Sequence, residues 1–202
     1  MESCIRKLAA SIGMDCAHPL VGGFTGRGLI IDLRDIQAIT QDADNPRKVL
    51  SIALMSGAKA CALDNAMLTT PLEGSNVTGS NDAGFTQFTK QVNGRILMRG
   101  ADVSADIVEP LVKSGTGFLV ILEKRDKVGD GSFVVVGLNQ PARCVDPSTV
   151  VRNENENGGA ISFGLQTTEN WFECTFVPTP ADGQSQYSAS LAAFNTMYNN
   201  DY

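Results

Sequence analysis

The sequence predicts a mainly β protein: a two-layer antiparallel β-sandwich or barrel with one flanking α-helix and terminal arms. Three observations carry that expectation. Phe118 to Leu122 and Phe133 to Val136 are apolar runs rich in β-branched residues, joined by a polar stretch ending in Asp130-Gly131, a hairpin signal. The layout recurs where Ile161, Phe163 and Leu165 alternate with Ser162, Gly164 and Gln166, and a short turn leads into Trp171 to Val177. The 20 glycines and the scarcity of Lys/Glu-rich segments favour turns and strands over long helices.

In chain order, Ile5, Leu8 and Ile12 fall at helical spacing with Gly13 as a stop, so residues 1–20 form an N-terminal arm, extended at Ala17-His18-Pro19. The sandwich domain covers residues 21–178. In its first long strand Leu29, Ile31 and Leu33 share one face, and Asp32 and Arg34 take the other. A polar break at residues 41–46 leads to a strand in which Leu50, Ile52 and Leu54 alternate, and Ala58 to Asp64 is its expected hairpin partner beyond Gly57. Residues 71–84 read as a polar loop too long for a simple turn, of the kind that carries function, here a reach to a neighbouring subunit. Phe85 to Met98 holds strand, broken near Asn93-Gly94.

Val103, Ile107, Val108, Leu111 and Val112 then occupy one helical face, capped by Asp102 or Ser104 and ended by Gly115, with Pro110 in conflict with an unbroken helix. Residues 179–202 form a C-terminal arm in which Tyr187, Leu191, Phe194 and Tyr198 make a narrow apolar stripe. So short a helix is marginal in water unless it packs on something. Folding back on its own sheet would satisfy the stripe, and so would docking on another subunit.

At 202 residues the chain can build one core without disulfides or metals. Its net charge of -6 and its lack of basic runs argue against a phosphate-gripping surface. Cys4, Cys16, Cys61, Cys144 and Cys174 are scattered, without a CxxC pair; free thiols in a reducing cytosol are the expectation, and whether Cys4 and Cys16 pair stays open. No apolar segment approaches the roughly 20 residues that span a bilayer, and the run after Arg6-Lys7 is too short for a signal-peptide core. A soluble, cytoplasmically made protein is expected.

Groups that could carry chemistry are scarce in the chain. His18 is the one histidine, so a Ser or Cys nucleophile has a single base to draw on, and no G-x-S-x-G occurs. Zinc ligation lacks clustered Cys and His. Asp42-Ala-Asp44 begins like a calcium loop, but Pro46 takes a turn position and Ala53 stands where the bidentate Glu belongs. The glycines of Gly23 to Gly28 are mis-spaced for a dinucleotide loop and precede a strand. Glu123 and Glu173 lie on strands and could converge as a glycosidase pair, but an aromatic share of 6% speaks against a sugar cleft. The chain is therefore expected to be no enzyme and to need no cofactor and no metal.

The order of elements resembles the tail-tube proteins of long-tailed bacteriophages and prophages, those of gut Bacteroidales in particular. The resemblance runs over residues 1–178. It is carried by Cys4 and Cys16 around the short N-terminal segment, Val21-Gly-Gly23 before the strand Gly28 to Asp32, and Val49 to Met55 with Gly57 to Ala60. The helix before Gly115, the hairpin Phe118 to Leu138 and the pair Ile161 to Leu165 and Trp171 to Phe176 complete it. It implies a virion structural protein, assembled in the host bacterial cytoplasm as homohexameric rings stacked into a DNA-conducting tube. Partners would be further copies and other tail proteins such as tape measure or sheath, with DNA passing without specific binding and no membrane involved. Glu73, Asn76, Asn81 and Asp82 would then be inter-ring contacts, the Tyr187, Leu191, Phe194 and Tyr198 stripe an oligomer arm, and Asp32 and Asp35 lumen acids. A tail-terminator or connector ring and a carbohydrate-binding β-sandwich are the alternatives.

Overall fold

The computed structural model describes residues 22–63, 67–69, 72–78, 84–97, 109–127, 129–144, 146, 151–153 and 160–198. Strands dominate: β1 (Phe24–Asp32), β2 (Ile36–Gln41), β3 (Lys48–Leu54), β4 (Cys61–Leu63), β5 (Met67–Thr69), β6 (Leu72–Thr78), β7 (Gly84–Leu97), β8 (Phe118–Lys124), β9 (Phe133–Val136), β10 (Val151–Asn153), β11 (Ala160–Glu169) and β12 (Cys174–Phe176). They form a seven-stranded sheet, ordered β2-β3-β12-β9-β8-β1-β4, and a five-stranded sheet, ordered β10-β11-β7-β5 with β6 also on β7. The expected β-sandwich with a helix is present. The larger sheet is mixed, because β12 runs parallel to β3.

The apolar runs have a direct explanation. Strands β8 and β9 are buried on both faces. Val120, Leu122, Val134 and Val136 point into the inter-sheet core with Phe163 and Leu165. Leu119, Ile121, Phe133 and Val135 point the other way, into a second core closed by Phe194, Met197 and Tyr198. A strand covered on both sides has no polar face to alternate with. The larger sheet is thus a middle layer.

That sheet must also curl. Strands β1 and β2 stand five places apart in the order, which on a flat sheet is about 24 Å. Only the 3-10 turn Leu33–Asp35 joins them, and such a link reaches about 14 Å. The sheet therefore coils around the second core, and bulges help. Register shifts between Ile36 and Ala38 and between Thr40 and Gln41 re-phase the alternation, so Val49, Ile52 and Leu54 share the core side where Leu50, Ile52 and Leu54 were expected.

Four further expectations change. Residues 61–63 do not pair with β3; they cross to β1, with Gly28 opposite Leu63. Strands β11 and β12 are no hairpin, because the turn between them passes from the smaller sheet to the larger. The strand expected to break at Asn93-Gly94 is continuous: Gly94 pairs with Phe163, and a Cβ there would lie 2.2 Å from its ring, so the glycine makes room for an aromatic. In the 71–84 region, Leu72–Thr78 is a strand laddered to β7 from Lys90 back to Gly84. Backbone pairing needs no apolar alternation, which is why so polar a stretch could hide a strand.

Of the expected helix at 103–115, residues 109–113 are helical with Leu111 buried; residues 103–108 lie outside the described residues. So do the N-terminal arm with Cys4, Cys16 and His18, and Asn81 and Asp82.

The C-terminal helix (Gln186–Thr196) is capped by Ser185, whose side chain accepts from the Ser188 N–H. It lies on its own larger sheet. Tyr187 and Leu191 pack against the same core as buried Phe194 and Tyr198, and the Phe194 ring sits 5.2 Å from that of Phe133. Tyr187 donates to Glu123 at 2.7 Å and the Ala60 N–H to Met197 at 3.0 Å. Of the two ways to satisfy the stripe, the chain as folded takes the first, packing on its own sheet. Phe194 and Tyr198 are buried and Tyr187 and Leu191 partly so, because the curled sheet would otherwise leave an uncovered core.

Candidate functional site

Where the first strand leaves the sheet, the chain builds a half-open cleft of about 280 Å³. Its floor is the end of the inter-sheet core: Ile30, Leu63, Leu111, Phe118 and Phe163, all nearly inaccessible. Its rim is polar and comes from the 3-10 turn and the loop before β4, supplying Asp32, Arg34, Asp35, Lys59 and Cys61. Both acids expected to face a lumen thus meet at one mouth.

Their charges are not equivalent. Asp32 caps the turn by accepting the Arg34 N–H at 2.9 Å, and the Arg34 guanidinium grips both carboxylate oxygens at 3.0 and 2.7 Å. Thr116 adds a donor at 3.2 Å. Arg34 foremost holds the Asp32 carboxyl below its usual range, against desolvation that pushes the other way. Asp32 is a structural anion with its partner in place, leaving Asp35 as the less committed acid. A carboxyl depressed in the folded state contributes stability above its unfolded value of about 3.9, and that contribution fades as pH falls through the folded value. We expect Asp32→Asn to lower the melting temperature at pH 6 and to converge on the parent near pH 2 to 3. Melting scans across pH would show it, and a decrement that stays constant down to acid would refute the assignment.

Burial in the cleft wall pushes the Cys61 thiol up, although the residue as a whole is exposed, so it stays protonated at neutral pH. Cys174, beneath the sheet, is pushed up to about 11 by burial and by nearby Glu169. Among the described residues no three His, Cys, Asp or Glu side chains group as metal ligands. The cleft offers shape and an apolar floor. Its aromatics, Phe118 and Phe163, are buried, so a sugar ring would find no exposed face to stack on.

The other carboxylates of interest stand apart. Glu123, 2% exposed, faces the helix-covered core, where it accepts from Thr25 at 2.8 Å and lies 3.7 Å from both Arg27 and Lys127. Arg27 in turn donates to Asn195 and Tyr198 and overlies the Phe194 ring, tying strand to helix. Glu173 is salt-bridged to Lys124. The two acids are thus each occupied by a different structural partner. At the far end of the smaller sheet Lys90 and Glu169, both fully buried, form an ion pair, and Glu169 also accepts the N–H groups of Gly137 and Leu138 at 2.8 and 2.7 Å. Nothing in the alternation of β7 and β11 announced this clasp.

Of the expected inter-ring residues, Glu73 and Asn76 lie in the β6 ladder, opposite Thr89 and Thr86. Strand β11 reaches only to Phe88, so Gly84–Gln87 of β7 are paired on β6 alone. The β6–β7 ribbon thus runs on past the sandwich. No helix among the described residues is long and apolar enough to cross a membrane. The chain matches no family model, no curated protein and no solved structure.

Proposed function

We propose that this chain is a self-assembling structural subunit of the tail-tube type, one that stacks as rings around a channel for DNA. The observation that carries the reading is the ribbon. Its strands extend beyond their neighbours, and along β6 no second strand among the described residues takes up the outer backbone groups. Such an edge invites pairing with another chain, and natural proteins either blunt it or complete it. Identical copies completing one another would turn this liability into an assembly contact, with the ribbon as the part that reaches the next ring. The smaller sheet is compatible with passage of DNA: the outward side of β7 and β11 carries mostly neutral polar side chains, Gln87, Thr89, Gln91, Asn93, Ser162, Gln166 and Thr168, with Arg95 the one cation among these positions, so few charges are offered to phosphates.

Negative-stain microscopy of concentrated protein is the direct test, and rings or tubes are the expected result. Only globular monomers at every concentration and salt would overturn the reading. The ribbon can be tested separately. Because β7 keeps its ten pairs with β11 from Phe88 to Leu97, replacing residues 75–87 by a two-residue Asn-Gly turn should leave melting nearly unchanged and abolish stacking. Unfolding of the shortened subunit would mean that the ribbon serves the fold.

A further inference from the structure

We infer that Phe172 of one copy inserts into the cleft of the next; this rests on the self-assembly reading and names one of its contacts. Two features of the same chain complement each other. Phe172 is 52% exposed at the turn after β11, held by an edge-to-face contact with Phe88 at 5.6 Å. An aromatic ring already oriented and half in water is what interface hot spots are made of. The cleft of about 280 Å³ falls short of the roughly 300 to 1,000 Å³ that drug-sized ligands occupy, yet it takes one aromatic side chain comfortably.

Position argues for a second copy as the occupant. Phe163 lines the cleft, and six residues on, about 20 Å along β11, Glu169 pairs with Phe88 at the end where Phe172 projects. Knob and hole therefore lie toward opposite ends of one strand, so no molecule can fill its own cleft. A knob at one end and a hole at the other make a head-to-tail contact, which propagates into closed rings or open stacks. Met55, 50% exposed, is a poorer knob: its N–H bonds to the Asp35 carbonyl, which places it at the same end of the molecule as the cleft.

Cys61 makes the contact testable without removing the knob. In a chain whose Cys4, Cys16 and Cys144 are replaced by serine, Asn170→Cys places a second thiol two residues from Phe172, and reaction at alkaline pH supplies the thiolate that burial withholds from Cys61 at neutral pH. Treatment with a phenylene bismaleimide should give covalent dimers and higher ladders, lost when Cys61→Ser is added. Phe172→Ala should raise the concentration needed for assembly at least tenfold. Assemblies that form without the cross-link, and that tolerate Phe172→Ala, would overturn this contact and leave self-assembly standing. A protein that stays monomeric throughout would overturn both.

Discussion

Replacing Lys90 by methionine is expected to destabilise the fold by about 3 to 5 kcal/mol, the range seen when one partner of a buried ion pair is removed. The lysine side chain is fully buried in β7, and its ammonium meets the Glu169 carboxylate with no water access to either. Lys90 shares its side of the strand with buried Val92 and with Gly94, so the pair sits at the end of the inter-sheet core. Removing the cation leaves Glu169 as a lone charge in an apolar setting. The carboxylate cannot turn elsewhere, because its other oxygen is held by the N–H groups of Gly137 and Leu138, in the turn that follows β9 of the other sheet.

The geometry of that turn is tight. Gly137 adopts a φ of 96°, and a Cβ there would lie 2.5 Å from the Phe118 carbonyl, so only glycine presents its N–H to the carboxylate in this way. The clasp thus spans both sheets, aided by Thr167, which donates to the Gln140 carbonyl at 2.5 Å. Urea denaturation should show the loss for Lys90→Met as a lower midpoint at unchanged slope. Lys90→Met with Glu169→Gln should recover part of it, because the amide still accepts from the turn and no unpaired charge remains. A midpoint for Lys90→Met equal to the parent's would mean that the pair is solvated and carries no such role.

The clasp also marks what the sequence could and could not disclose. Strands whose two faces differ, or that are apolar throughout, were legible: Phe118–Lys124 and Phe133–Val136 pair as expected, Val120 opposite Val136. Strand β6 was not, because its residues carry no apolar alternation from which its backbone ladder with β7 could be read. The hairpin reading of β11 and β12 failed for a related reason. Both are strand-like locally, and nothing in a turn of residues 170–173 tells a return along one sheet from a step to the other. The cleft was half legible. Alternation put Asp32 off the core side of β1, but its capping of the next turn and its grip by Arg34 depend on the chain bending at Leu33. Lys59 and Cys61 join it only because β4 crosses to β1. Lys90 looked like any polar residue of a solvated strand, since burial of a charge is decided by a partner distant in sequence.

Phe194→Ala should cost about 3 to 5 kcal/mol as well, and its readout separates two roles for the C-terminal helix. The ring is 1% exposed and touches Phe133 and Tyr198, with the Arg27 guanidinium 5.7 Å from its centre. Truncation leaves a cavity under the helix, bounded by a curled sheet that cannot collapse around it. It also removes the surface on which Arg27 lies while that residue bonds Asn195 and Tyr198. Since Tyr187 anchors the other end of the helix on Glu123, the damage should spread along the whole layer, and melting should fall in the isolated subunit at low concentration. An assembly arm would behave oppositely: stability of the monomer untouched, association lost. Melting measured by circular dichroism on dilute monomer, beside assembly measured by light scattering, decides between them. A monomer as stable as the parent's, combined with lost assembly, would return Tyr187, Leu191, Phe194 and Tyr198 to the surface between subunits.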